Sequence, residues 1–226
     1  MKAIVHTSYG SADEALELRE VETPVPGDGE LLIRVRTSSV NHAEWHLTTG
    51  TPYLVRPEAG LRTPKRPVLG ADLAGVVEAV GSNVTQFTTG DEVFGEVGAG
   101  AYAEYVTVAE DRVVHKPAGM NFEDAAALPM AGLTALQGLR DKAGVRAGQK
   151  VLIIGASGGV GTFAVQIGAW MGARVTGVCS TKNVELVRSR GADPVIDYPQ
   201  QDFVTGEARY DLILDNVGTH SLSELR

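Results

Sequence analysis

Over the first half of the chain, apolar positions come in short runs broken by turn residues. Leu31, Ile33 and Val35 alternate with Leu32, Arg34 and Arg36, the two-residue period of a strand with unlike faces. Further strands are expected at residues 74–80 and 102–108. Pro26-Gly27-Asp28-Gly29, Gly81-Ser82-Asn83 and Thr89-Gly90-Asp91 supply the reversals between candidate strands. Near residue 122 the pattern changes. Asn121 can cap a helix that opens on Glu123 and Asp124 and runs on through alanines, with Pro129 kinking or restarting it. After Gly148, short apolar runs at 151–154, 174–178, 194–196 and 211–215 alternate with helical segments, and 221–226 reads as a helix. That order predicts a parallel sheet with right-handed crossovers. The fold class is therefore α/β in two domains: a β-rich one over 1–121 and a parallel-sheet one over 122–226.

The first parallel strand runs into Gly155-Ala156-Ser157-Gly158-Gly159-Val160-Gly161, and a helix follows. Strand, glycine-rich turn and helix together form the dinucleotide fingerprint. Ala156 stands where its first glycine usually falls. Gly158 lets the backbone approach a pyrophosphate, and Gly161 lets helix and strand pack closely. Free N–H groups at the helix start, within 156–161, then face the diphosphate. NAD-binding chains place an acid about 20 residues on, to hold the ribose 2′-hydroxyl. Here the run is Cys179-Ser180-Thr181-Lys182-Asn183, with no acid. Hydroxyls and an ammonium suit a 2′-phosphate instead. Ser180, Thr181 and Lys182 are thus its expected site, with Tyr198 beside the adenine or its phosphate, and the expected cofactor is NADPH.

Residues 51–67 carry four prolines (Pro52, Pro57, Pro64, Pro67) and four basic side chains (Arg56, Arg62, Lys65, Arg66). Such a loop reads equally as a functional flap or as a solvated surface loop.

The whole chain resembles the medium-chain dehydrogenase/reductase superfamily, on its zinc-independent quinone oxidoreductase (zeta-crystallin-like) branch. The resemblance rests on Val40-Asn41, the run from Pro67 through Gly70-Ala71-Asp72 to Val77, and Gly90-Asp91-Glu92-Val93-Phe94-Gly95. It rests also on Ala125-Ala126-Ala127-Leu128-Pro129, Gly132-Leu133-Thr134-Ala135, the glycine turn and Gly191-Ala192-Asp193. It implies a GroES-like N-terminal domain, a Rossmann domain and hydride transfer from NADPH in the cleft between them. The acceptor implied is a quinone or an α,β-unsaturated carbonyl.

By the same resemblance Asn41 sits near the nicotinamide ribose and the substrate oxygen, which it or a backbone N–H would polarise. Tyr53 is the aromatic of the cleft, and Tyr53, His46 or water supplies the final proton. Thr134 reaches the nicotinamide side, and Asn216 and Val217 border the cofactor. Zinc-bearing relatives have a cysteine at the place of Asn41 and a histidine at that of Ala71. Glu44 replaces the more usual aspartate, and Thr48 stands where many relatives have an arginine. His42, Glu44 and His46 form an H-x-E-x-H run, a weak metal signature more readily read as lining the cleft.

Composition narrows the partners. The 226 residues carry a net charge of −8 and no basic run, which argues against nucleic acid and anionic membrane. Cys179 is the single cysteine, so neither a disulfide nor a four-cysteine zinc site can form. No stretch reads as a signal peptide or a membrane span, and the expected location is the cytoplasm. Strands 1 to 4 of a 3-2-1-4-5-6 sheet are present, and two more would need roughly 60 further residues. The dinucleotide domain is thus expected to be truncated, with its fourth strand an exposed edge and turnover weak or absent. The full-length protein is expected to be a homodimer. Two other readings stay open: an NADPH-binding sensor or structural protein without catalysis, and a metal-dependent alcohol or aldehyde oxidoreductase.

Overall fold

A computed structural model of the chain describes residues 1–204, 208–221 and 223–225. The chain divides into two compact units, Met1–Met130 and Ala131–Arg226.

In the first unit the elements run β1 (Lys2–His6), α1 (Ala12–Ala15), β2 (Leu16–Glu20), β3 (Glu30–Thr37), α2 (His42–Thr49) and α3 (Arg56–Ala59), then β4 (Asp72–Val80), β5 (Glu92–Glu96), β6 (Tyr105–Ala109), β7 (Val113–His115) and α4 (Phe122–Ala127). Strands β6-β3-β4-β5-β7 form an antiparallel sheet, and β1 pairs with β2 apart from it. β3 lies inside the sheet, and Leu31, Leu32 and Ile33 are all buried, so its faces are less unlike than the alternation suggested. Leu31, Ile33, Leu73, Val77 and Val93 centre this unit's core.

The helix over α4 starts as expected: the Asp124 N–H donates to Asn121 Oδ1 at 2.6 Å. It stops at Ala127, and α5 (Pro129–Leu136) starts afresh on the proline, whose missing N–H costs nothing at a first helical position. Ala125 and Ala126 pack on Ala74 of β4, so α4 belongs with the β-rich unit, although the change of texture at residue 122 had placed it with the other domain.

The second unit continues α5 into a π-helical turn (Gln137–Lys142), then β8 (Lys150–Ile154), α6 (Gly159–Trp170), β9 (Arg174–Cys179), α7 (Val184–Ser189), β10 (Val195–Asp197) and β11 (Leu212–Asp215). The sheet is parallel, in the order β10-β9-β8-β11. Counted within this unit that is 3-2-1-4, the order of a Rossmann-type sheet. β8 is buried on both faces. Val151 and Ile153 join Leu139, Val165 and Val175 in one cluster, while Leu152 and Ile154 meet Val178 and Ile196 in another. β11 is the sheet's edge.

Two expected helices differ. Between β10 and β11 the described residues form turns, and 205–207 lie outside the described residues. Of the expected terminal helix, Leu222 and Arg226 lie outside the described residues, and Ser223 and Glu224 sit in a turn. No helix among the described residues is long and apolar enough to cross a membrane.

Candidate functional site

In the second unit the chain leaves β8 at Ile154 and reverses at Gly155, whose φ of 75° lies in the left-handed region. A Cβ there would also stand 2.7 Å from Val217 Cγ2. The turn therefore depends on Gly155, one residue before the fingerprint's first position. Ala156 is fully buried and its N–H donates to Val178 O at 2.9 Å, so its methyl group is core. Gly158 caps α6 in extended conformation and accepts the Thr162 N–H at 2.9 Å. The N–H groups of Gly159, Val160 and Gly161 open the helix with no backbone acceptor among the described residues. A Cβ on Gly161 would fall 2.1 Å from Gly155 O, so glycine alone keeps α6 this close to the turn.

A cavity of about 690 Å³ lies in this unit beside the ends of β8, β9 and β10. It is within the usual size of small-molecule sites. Ser157, Ser180, Tyr198 and Val217 line it. With the three free N–H groups and the close-packed glycines, these residues fit a dinucleotide. Asn183 was not singled out from the sequence. Its Nδ2 donates to Ser157 Oγ at 3.0 Å and to Ser180 Oγ at 3.4 Å, tying the phosphate turn to the end of β9. Gln200, Gln201, Asp202, Phe203, Thr219 and His220 also line it, and no motif in the sequence marks them.

Other expected contacts are placed differently. The Thr181 hydroxyl donates to Asp197 Oδ1 at 2.9 Å, so its proton is spent. Lys182 is exposed and makes no ion pair among the described residues. Asn216 Nδ2 donates to Ile154 O at 3.2 Å, a bond that holds the end of β11 to β8. Thr134 is exposed on α5. None of these four lines the cavity.

In the first unit α2 decides the geometry around Asn41. On a helix, residues two apart point to opposite sides, so His42 and His46 share a face and Glu44 turns away. The two imidazoles meet edge to face at 4.7 Å. Glu44 is buried. Its carboxylate accepts the Asn41 N–H at 2.6 Å and the Ala71 N–H at 3.0 Å. The H-x-E-x-H residues do not converge, and among the described residues no group of three or more His, Cys, Asp or Glu is placed to hold a metal ion.

Asp72, at 0% exposure, organises the rest. Its Oδ2 accepts from Ser39 Oγ at 2.6 Å and Asn41 Nδ2 at 2.9 Å, and its Oδ1 accepts the Met130 N–H at 2.9 Å. Asn41 Nδ2 also donates to Ser39 Oγ at 3.1 Å. The amide nitrogen thus faces the Ser39–Asp72 pair, and the amide orientation follows from the carboxylate it faces. The Asn41 side chain also faces the Glu44 backbone in the capping box that opens α2. The Tyr102 hydroxyl donates to Ser39 O at 3.1 Å. Burial, and then the charges of Glu44 and Asp72, hold that phenol well above its ordinary value.

His46 and Tyr53 lie apart from that network. His46 Nδ1 is 2.6 Å from Thr51 O, which fixes it as the donor nitrogen. His46 lines a separate cavity of about 420 Å³ with Leu47, Leu54 and Val55, to which Asn41 and Tyr53 do not contribute. Tyr53 is 73% exposed. The Arg56 guanidinium lies between two rings, 4.5 Å from Tyr9 and 4.6 Å from Tyr53, and its Nε donates to Gly50 O at 3.0 Å. Residues 51–67 are thus an ordered segment with a 3₁₀ turn at Tyr53–Val55 and α3, pinned by that stack.

His6 also lines the 420 Å³ cavity. Burial pulls its pKa below the ordinary histidine value, with a weaker opposing bond to Thr48 O. A depressed folded-state pKa means that the unfolded chain takes the proton first. The stabilisation is therefore complete above about pH 6.5 and is lost as the pH falls through the folded value. Urea midpoints at pH 5 and pH 7.5 should differ less in His6→Gln than in the parent. An equal pH slope in both would refute this.

Sequence comparisons agree with both units. Residues 27–118 match the alcohol dehydrogenase GroES-like domain family, and residues 159–225 match the zinc-binding dehydrogenase family. The chain is 38% identical over 206 residues to the chloroplast envelope quinone oxidoreductase homolog of Arabidopsis thaliana, covering 88% of this chain and 61% of that one. It is 34% identical over 233 residues to the human quinone oxidoreductase, covering 99% and 68%. The solved Escherichia coli quinone oxidoreductase in complex with NADPH superposes with a TM-score of 0.80 at 28% identity, over 90% of this chain and 60% of that one. The fold and these matches define a medium-chain dehydrogenase/reductase. Within that superfamily the chain belongs to the quinone oxidoreductase branch, and it spans about three fifths of the length of the plant relative.

Proposed function

We propose that this chain carries the cofactor-binding and acceptor-binding residues of an NADPH-dependent, zinc-independent oxidoreductase that reduces a quinone or an α,β-unsaturated carbonyl. One observation carries the reading. The turn at 155–161 presents three uncommitted N–H groups, and the neighbouring cavity of about 690 Å³ is lined by Ser157 and Ser180.

The N–H groups of Gly159, Val160 and Gly161 and the start of α6 hold the diphosphate. Ser157 and Ser180, oriented by Asn183, face the adenosine half, and exposed Lys182 offers the positive charge for a 2′-phosphate. The nicotinamide, when bound, supplies the hydride. Asn41, positioned by Asp72, or a backbone N–H would polarise the acceptor oxygen. His46 is held through Nδ1 by Thr51 O, and the closing proton comes from Tyr53, His46 or solvent. Asn41 and Ala71 stand where zinc-bearing relatives have thiolate and imidazole, and Glu44 is committed to backbone N–H groups.

Equilibrium dialysis should show saturable NADPH binding to the purified chain. Loss of NADPH absorbance with 1,4-benzoquinone or an enone should be no slower in the presence of a chelator. Absence of NADPH binding would overturn the cofactor assignment. A rate abolished by chelation and restored by zinc would overturn the zinc-free one.

A further inference from the structure

The sequence of β9 and its exit is free of acids, yet the fold brings one in from the next strand. Asp197 ends β10 and pairs in register with Cys179 at the end of β9. The Tyr198 N–H donates to Cys179 O at 3.1 Å and fastens the two strand ends together. Asp197 Oδ1 accepts the Thr181 hydroxyl at 2.9 Å, and Oδ2 accepts Gln200 Nε2 at 2.7 Å. A carboxylate is thus one hydrogen bond from the segment Ser180, Thr181 and Lys182.

We propose that Asp197 sets the cofactor selectivity of this site, its carboxylate opposing a 2′-phosphate so that NADH is accepted alongside NADPH. The inference rests on the dinucleotide reading above and concerns its adenosine end alone. Three features support it. The Thr181 hydroxyl donates its one hydrogen bond to Asp197, leaving no second donor for a phosphate oxygen. Among the described residues the cavity lining contains no lysine or arginine. Asp197 also uses only two of the roughly four acceptor positions a carboxylate has, so it can still take a hydrogen bond from a ribose hydroxyl. Against these stands one exposed cation, Lys182, so the balance between the two cofactors is close. The charge is felt inside the cavity as well. Burial first, and Asp197 second, push the Cys179 thiol up, and Cys179 lines the cavity.

The test is a pair of titrations, NADPH and NADH, by calorimetry on the parent, Asp197→Asn and Asp197→Ser. In the parent the NADPH preference should stay below about tenfold. Asp197→Asn keeps an acceptor for Thr181 and removes the charge. It should tighten NADPH by about two- to fivefold, the size of a partly exposed charge interaction, and leave NADH unchanged or weaker. The gain should shrink as salt is raised. Asp197→Ser should move the ratio in the same direction, and Lys182→Ala in the opposite one. An unchanged ratio in both Asp197 variants, or a parental preference above tenfold, overturns the proposal while the dinucleotide reading stands. A parent that binds neither nucleotide overturns the dinucleotide reading itself.

Discussion

Gly161→Ala is expected to loosen the second unit and to weaken dinucleotide binding, whereas Gly159→Ala, two residues earlier, is expected to do neither. Both glycines sit in the first turn of α6 with ordinary helical backbone, so conformational freedom does not separate them. Space does. The nearest foreign atom to a Cβ on Gly159 is the Ala131 Cβ at 3.9 Å, an ordinary contact. A Cβ on Gly161 would meet Gly155 O at 2.1 Å and Ala156 Cα at 2.8 Å, both of them backbone. Neither atom can step aside as a side chain does, so the helix start must back away from the turn. Overpacking of this kind costs about 1–3 kcal/mol. In the same movement the N–H groups at 159–161 leave their common focus, and NADPH affinity should fall by about tenfold or more, equivalent to ~1.4 kcal/mol. Urea denaturation followed by circular dichroism, hydrogen exchange across α6 and NADPH titration read the two variants side by side. Equal behaviour of the two would mean that the turn and helix are not in the contact described.

The same contrast explains how much of the molecule could be read from the residues in order. The glycine turn was legible because strand, turn and helix are contiguous, and its glycines lie within seven positions. The parallel strands were legible for a related reason: burial on both faces leaves a continuous apolar run at 151–154, and over 175–178 only the buried hydroxyl of Thr176 interrupts one. β5 is hidden along the chain because its Gly95 reads as a breaker, and β7 because it is only three residues long. In the sheet Gly95 is needed, since a Cβ there would lie 2.3 Å from Arg112 O on the neighbouring segment. α2 gave no clear helical period, as only Glu44 and Thr48 of its eight residues are buried, and both are polar. The absence of an acid at the end of β9 was read correctly along the chain, but Asp197 reaches the same place through space. A linear count has no access to that. Asp72 was quoted for resemblance and not for chemistry, because its partners, Ser39, Asn41 and Met130, are spread over the whole first unit.

Removing that carboxylate should have the largest effect in the first unit. Asp72→Ala strands three donors at once: the Ser39 hydroxyl, the Asn41 amide and the Met130 N–H. A buried donor without a partner costs about 1–3 kcal/mol, so a loss of about 3–5 kcal/mol is expected after partial relaxation. That is a large fraction of a domain's stability. Asp72→Asn should cost less. It keeps an oxygen for Met130 but turns an amide group toward Asn41, whose own amide must then flip to present its oxygen inward. Exchanging the two side chains, Asn41→Asp with Asp72→Asn, restores a carboxylate between the Ser39 hydroxyl and a facing amide. The double variant should therefore be more stable than the sum of its single changes by about 1–3 kcal/mol, the coupling expected of groups in one network. Urea unfolding of the four proteins, with hydrogen exchange over α2, measures that coupling. Additive single effects would show that Asn41 is not oriented by Asp72.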